Sequence, residues 1–122
     1  MTSKVVKIKL DGGHGPGSLY NRGYIGPLWK NEGDGNYYFS LLLKKELEAY
    51  GITVSLTRPN IQQNPSLEAR GQSAQGYDLF ISLHTNAGGG TGVEIYEDVN
   101  SRATALNTKL CESISKRLGI KN

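Results

Sequence analysis

The fold is decided by the stretch Ile8-Lys9-Leu10-Asp11-Gly12-Gly13-His14-Gly15-Pro16-Gly17, in which a predicted β-strand ends in a glycine-rich turn. Apolar residues at Val6, Ile8 and Leu10 alternate as they do in a strand. A strand that stops in such a turn places the next side chain at the carboxyl edge of its sheet, where open α/β sheets bind their ligands. A histidine at that edge, such as His14, can bind a metal ion or transfer a proton.

The composition of the chain limits its class. The length of 122 residues predicts a single domain over 1–122. The net charge of +3 is typical either of a mildly basic soluble protein or of one that is attracted to an anionic polymer, such as nucleic acid or a bacterial wall. Nucleic acid is not favoured as a partner, because no basic run is longer than Lys44-Lys45. The single cysteine, Cys111, excludes an intrachain disulfide and a thiolate zinc cluster, and we expect it to fill the core.

The amino-terminal residues predict the compartment of synthesis. Met1-Thr2-Ser3-Lys4 leads directly into the first strand, so no signal peptide is predicted, and no run of about 20 apolar residues predicts a membrane span. We therefore expect a chain that is made in the cytoplasm and is not inserted into a membrane. The sequence leaves the oligomeric state open.

The rest of the chain alternates between strands and helices, which predicts an α/β fold whose strands pair in parallel. Asp34 is the predicted N-cap of the first helix. The apolar stripe predicted for that helix consists of Phe39, Leu42, Leu43, Leu47 and Tyr50. Strands are predicted over 5–10, 53–57, 78–84 and 93–96, and helices over 36–50, 66–75 and 102–118.

The two histidines of the chain, His14 and His84, each follow or end a predicted strand. If both strands are parallel in one sheet, both imidazoles lie at the same edge. A catalytic zinc ion takes three protein ligands, so a carboxylate is expected beside them. Glu32 lies just ahead of the first predicted helix and is well placed, while Asp34 and Asp11 are competing carboxylates. Asp11 is better suited to orienting an imidazole.

Short motifs along the chain match a known family. They occur in one order from Val5 to about Leu118, and together they resemble the zinc-dependent N-acetylmuramoyl-L-alanine amidases of the third amidase family, which include bacterial autolysins and phage endolysins. The motifs are Leu10-Asp11-Gly12-Gly13-His14-Gly15, Asn31-Glu32-Gly33-Asp34, Leu56-Thr57-Arg58, Ser66-Leu67-Glu68-Ala69-Arg70, Asp78-Leu79-Phe80-Ile81-Ser82-Leu83-His84-Thr85-Asn86 and Gly92-Val93-Glu94-Ile95-Tyr96.

The resemblance implies a twisted, mixed but mostly parallel sheet of about six strands flanked by helices. It also implies a zinc ion, Zn2+, held by His14, Glu32 and His84. It implies hydrolysis of the amide between N-acetylmuramic acid and L-alanine of the stem peptide, with the peptidoglycan glycan strand and stem peptide as partners. The expected place of action is therefore the bacterial cell wall, reached during phage lysis or sporulation.

In the family, a second glutamate on a late strand acts as general base, and that glutamate is expected beyond Asn122. The resemblance therefore predicts a catalytic domain that lacks its carboxyl-terminal strand. Glu94 is the other candidate for this role within a predicted strand. The alternative function is a non-catalytic fragment that binds zinc or the cell wall. A dinucleotide site is disfavoured, because the spacing of Gly13, Gly15 and Gly17 does not fit the G-x-G-x-x-G pattern.

Two further sets of residues are candidates for substrate contact. The loop from Pro16 to Trp29 is predicted to form a groove wall, where Tyr20, Tyr24 and Trp29 either stack on a sugar ring or anchor the loop. Arg58 and Arg70 either bind a peptide carboxylate or pair with local acidic residues.

Overall fold

The computed structural model describes residues 4–17, 31–85 and 90–121. These residues belong to two compact units, Met1–Ala87 and Gly88–Asn122. The helices in the described part of the chain do not combine the length and hydrophobicity of a membrane-spanning segment. The prediction of a single domain over 1–122 stays a prediction.

The first unit contains a parallel three-stranded sheet with the strand order β2-β1-β3. Its central strand pairs with Thr53 to Leu56 on one side, and on the other side its register brings Asp11 opposite Ser82. The predicted α/β fold is confirmed, and every strand pair in the described part of the sheet is parallel. The elements of this unit are β1 (Lys7–Gly12), α1 (Glu32–Ala49), β2 (Thr53–Leu56), α2 (Leu67–Ser73) and β3 (Leu79–Leu83).

The core of the first unit lies between the sheet and α1. Ile8, Leu10 and Val54 are buried there. Half-buried side chains from α1 and the neighbouring strands pack around them, and these are Leu43, Leu47, Ile52, Leu56, Leu79 and Ile81. Because burying apolar surface is the main favourable term in folding, this cluster fixes the strand ends that carry the candidate site.

The predicted start and apolar stripe of α1 need correction. The helix begins at Glu32 with Asn31 as its N-cap, so Asp34 lies in the first turn and is not the cap. Phe39, Leu42 and Tyr50 of the predicted stripe are exposed. The buried positions of the helix are instead Glu32, Gly33, Asn36, Tyr37 and Ser40. The reason is that this face carries polar side chains whose hydrogen bonds are satisfied when buried: Asn36 donates to the carbonyl oxygen of Gly13 after β1, and Ser40 donates to the carbonyl oxygen of Tyr37 within the helix.

The second unit contains α3 (Thr104–Leu118), which ends at Gly119 in the left-handed conformation that glycine adopts readily. The strand predicted over 93–96 is wrong, because that segment forms no strand and its Val93 amide donates to the carbonyl oxygen of Lys121. Cys111 is half-buried beside the carbonyl oxygen of Val93 and does not fill a core, since no residue of α3 is buried.

Candidate metal centre

His14 follows β1 in a left-handed backbone conformation, with φ at 63°. This conformation is uncommon for a residue with a side chain and is held by hydrogen bonds on both sides of the turn. The amide of Gly13 donates to the carbonyl oxygen of Leu83, and Nη2 of Arg70 donates to the carbonyl oxygen of His14. The turn is therefore attached both to β3 and to α2.

Glu32 is the first residue of α1, which corrects its predicted position just ahead of the helix. Its carboxylate is 5% exposed, and an acidic group is favourable in the first turn of a helix. Its Oε1 lies 3.2 Å from Nδ1 of His84 and 3.5 Å from Nε2 of His14. The same oxygen accepts hydrogen bonds from the Thr85 amide at 3.1 Å and from Nδ2 of Asn36 at 3.4 Å.

His84 follows β3 directly, and its side chain is 44% exposed. The imidazole of His84 meets that of His14 at a centroid distance of 5.0 Å and an interplanar angle of 87°. The carboxyl edge of the parallel sheet thus brings together two side chains that are far apart in sequence. One ligand atom from each of His14, Glu32 and His84 lies within 4.8 Å of the others, which is close enough for a single metal ion.

Gly13 makes room for this arrangement. A Cβ atom at Gly13 would lie 2.2 to 2.6 Å from ring atoms of His84. No side chain can occupy that space without displacing the imidazole, so the absence of a Cβ lets His84 lie directly against the turn that carries His14.

The electrostatic environment lowers the pKa of His14 below its ordinary value of 6.5. Burial is the largest cause, the charge of Glu32 opposes it, and His84, Arg70 and Arg58 lower the pKa further. A lowered pKa keeps the imidazole neutral near pH 7, and the neutral ring is the form that binds metal ions.

Asp11 does not orient an imidazole directly, which corrects the prediction made for it. Its Oδ1 accepts from Thr57 at 2.5 Å and from Arg70 at 2.6 Å, while its Oδ2 accepts from Ser82 at 2.6 Å. Burial raises the pKa of Asp11, but these hydrogen bonds and the charge of Arg70 together hold the pKa below its ordinary value of 3.8. Because Arg70 also binds the carbonyl oxygen of His14, Asp11 acts on the turn through Arg70.

Both arginines are buried inside the first unit. Arg70 pairs with the local acid Asp11, as one of the two predictions had it. Arg58 is 1% exposed and donates to backbone carbonyl oxygens, including that of Gly33 at 2.9 Å. Asn36 was not predicted as a site residue, yet its Nδ2 donates to Gly13 and Glu32. The sequence signal that could have identified Asn36 is its spacing, since it lies one helical turn after Glu32 and therefore on the same face of the helix.

A cavity of about 520 Å³ opens beside the imidazoles. Its lining combines the strand ends with the segment before and within α2, and includes His14, His84, Asn64, Ser66, Leu67 and Phe80. The aromatic residues predicted for substrate contact, Tyr20, Tyr24 and Trp29, lie outside the described residues, as does most of the loop from Pro16 to Trp29.

The parallel sheet and the two histidines and glutamate at its carboxyl edge define an α/β domain with a candidate metal site. The family model described as N-acetylmuramoyl-L-alanine amidase matches residues 8–122, and the chain belongs to this family. The resemblance found from the motifs is thereby confirmed.

Individual relatives agree with this assignment. The chain is 35% identical over 115 residues to the sporulation-specific N-acetylmuramoyl-L-alanine amidase of Bacillus subtilis, covering 87% of this chain and 42% of that protein. It is 36% identical over 118 residues to the N-acetylmuramoyl-L-alanine amidase CwlM of Bacillus licheniformis, covering 92% and 45%. The chain thus spans less than half the length of these curated relatives.

A solved structure shares the fold. The catalytic domain of CwlV, an N-acetylmuramoyl-L-alanine amidase from Paenibacillus polymyxa var. colistinus, superposes with a TM-score of 0.80 at 22% identity. The superposition covers 97% of this chain and 67% of the CwlV domain.

Proposed function

We propose that this chain carries the zinc-binding part of a peptidoglycan amidase, which hydrolyses the amide between N-acetylmuramic acid and L-alanine. The observation that carries the proposal is the approach of His14, Glu32 and His84 to within 4.8 Å at the carboxyl edge of a parallel sheet. Membership of the N-acetylmuramoyl-L-alanine amidase family supports the choice of substrate.

The donor set fits zinc. Two imidazole nitrogens and one carboxylate oxygen are a usual set for a catalytic zinc ion, whereas calcium and magnesium take oxygen ligands. The carboxylate of Glu32 is buried beside the two rings, and a buried anion needs a compensating charge. The ion would therefore be coordinated jointly by His14, Glu32 and His84.

The residues around the site have separate roles in the proposed reaction. When bound, zinc supplies Lewis-acid chemistry for amide hydrolysis. His84 is 44% exposed and lines the 520 Å³ cavity, which would give the amide a path to the site. The Thr85 amide and Asn36 hold Oε1 of Glu32 in place, and Arg70 holds the turn of His14.

A second candidate function is binding of the cell wall without hydrolysis. Amide hydrolysis needs a group that takes a proton from water and passes it to the leaving amine. Among the residues that the structure describes, Asp11 is the acidic side chain that lines the cavity, and its carboxylate accepts hydrogen bonds from Thr57, Arg70 and Ser82. Glu32 is already assigned to the metal. In the described part of the first unit, the cavity therefore offers no free carboxylate to act as the general base. Without such a carboxylate from elsewhere, we expect binding of zinc or of the cell wall and no hydrolysis.

A cell-wall assay separates the two functions. Purified peptidoglycan is incubated with the zinc-loaded chain, and new amino termini on L-alanine are quantified together with turbidity and with the protein that sediments with the walls. Hydrolysis predicts new L-alanine amino termini that disappear in His84→Ala. Sedimentation without new amino termini supports the binding function. New reducing sugar ends in place of new amino termini, or neither new amino termini nor sedimentation with the walls, would contradict both functions.

A further inference from the structure

Arg58 has a position that neither the proposed metal ligation nor substrate binding explains. It is 1% exposed, although a charged side chain is rarely buried to that extent. Its guanidinium lies over the ring of Tyr37, with Cζ 5.5 Å from the ring centroid. Burying a cation is costly unless its donors are satisfied, so the partners of Arg58 indicate what its burial achieves.

The partners of Arg58 are backbone carbonyl oxygens from three separate segments. On the loop after β2, Nε donates to Gln63 at 2.8 Å and Nη2 donates to Ile61 at 3.1 Å. The third donor group, Nη1, points to the candidate metal centre. It lies 3.1 Å from the carbonyl oxygen of Gly12 and 2.9 Å from that of Gly33.

Those two carbonyl oxygens belong to the segments that carry two of the proposed ligands. Gly12 ends β1 two residues before His14, and Gly33 follows Glu32 in the first turn of α1. A single nitrogen atom therefore contacts both backbone segments. Arg70 does not make this connection, since its bonds reach Asp11, Gly12, His14 and the segment before α2.

We propose that Arg58 is a positioning residue for zinc, because its Nη1 fixes the spacing between the turn of His14 and the helix start of Glu32. This inference rests on the proposed zinc site. Metal-ligating groups must be held within about 0.5 Å of their binding positions for tight binding, and the residues that hydrogen-bond to the ligands or their backbone provide that precision. Asn36 provides a second connection between the same segments, so loss of Arg58 weakens the site without abolishing it.

Arg58→Lys tests the inference in the full chain. Lysine keeps the charge, but its single ammonium group cannot reproduce the planar fork that contacts all three segments. Zinc affinity is measured by competition with a chromophoric chelator, and the absorption spectrum of the Co2+-loaded protein reports the ligand geometry. We expect the zinc affinity to fall about 10- to 100-fold and the Co2+ spectrum to change.

The matched control is Val54→Ala, which removes buried apolar volume from the core without touching the metal centre. Urea denaturation of the zinc-free proteins measures how much each substitution lowers the free energy of unfolding, so that the losses of zinc affinity can be compared relative to the losses of stability. Val54→Ala is expected to keep its Co2+ spectrum and most of its zinc affinity. Unchanged affinity in Arg58→Lys, or an equal loss in Val54→Ala, would overturn the positioning role. If the wild-type chain binds no zinc, the proposed function itself fails, which is a different result.

A second pair of variants decides the question if Arg58→Lys does not fold. Tyr37→Leu removes the ring beneath the guanidinium, while Tyr37→Phe keeps that ring. We expect Tyr37→Leu to bind zinc several-fold more weakly than Tyr37→Phe, with a shifted Co2+ spectrum. Equal affinities and equal spectra in the two variants would refute the role of Arg58.

Discussion

Arg70 and Asp11 form an ion pair at 2.6 Å whose side chains are only 5% and 4% exposed. The pair connects α2 to the end of β1, directly behind the turn of His14. Because both charges are buried, removing one leaves the other without compensation, and such a change typically costs several kcal/mol.

Asp11→Asn is therefore expected to lower the free energy of unfolding by about 3 kcal/mol. Urea denaturation of the zinc-free chain measures this change. Glu48→Gln is the control, since Glu48 pairs with Lys44 on the exposed face of α1, and we expect a loss of about 0.5 kcal/mol or less there. Equal effects of the two substitutions would mean that the buried pair has no special role.

Because the pKa of Asp11 is lowered, the free energy of unfolding is expected to depend on pH in the acidic range. A carboxylate whose pKa is lower in the folded state stabilises the protein above its unfolded pKa of 3.8, and this contribution disappears as the pH falls toward the folded value. Ser82→Ala removes one hydrogen bond to the carboxylate. The variant should lose less stability than the wild type between pH 5 and pH 2, measured by urea denaturation at each pH. A larger loss in Ser82→Ala would contradict this cause of the shift.

Gly13→Ala tests the candidate metal centre independently of the stability of the fold. The new methyl group would overlap the imidazole of His84, which is partly exposed and can turn away at small cost. We expect zinc affinity to fall at least about 10-fold, with little change in the unfolding free energy of the zinc-free chain.

Gly71→Ala is the matched glycine control. Gly71 lies in α2, and the space that its new methyl group would enter is open. Alanine should therefore stabilise the helix by about 0.5–1 kcal/mol and leave zinc affinity unchanged. If Gly13→Ala binds zinc like the wild type, His84 is not held against the turn in the way described.

Several features of the site follow from the sequence because they depend on strand direction. The parallel strands β1 and β3 end at one edge, so His14 and His84 had to approach one another. The helix start was misplaced because Gly33 and Gly35 are poor helix formers and Asp34 has the residue type of a cap. Tertiary contacts, including the bond from Arg58 to Gly33, outweigh that local preference.

Other features cannot be predicted from the sequence pattern alone. The strand predicted over 93–96 shows the alternation of a strand, but a strand also needs a partner, and the described residues of its unit supply none. The partners of Arg58 are backbone carbonyl oxygens, which every residue has, so the sequence could not indicate which ones it contacts. The buried position of Asn36 likewise depends on the packing of α1 against β1.

Zinc content of the purified chain tests the central claim most directly. Wild type, His14→Ala, His84→Ala and Cys111→Ser are loaded with zinc, desalted and analysed by atomic spectroscopy together with protein concentration. Cys111 lies in the second unit and is the control for a thiol ligand. We predict one zinc ion per chain in wild type and Cys111→Ser, and loss of zinc in both histidine variants. A full zinc content in His84→Ala, or none in the wild type, would contradict a site formed by His14, Glu32 and His84.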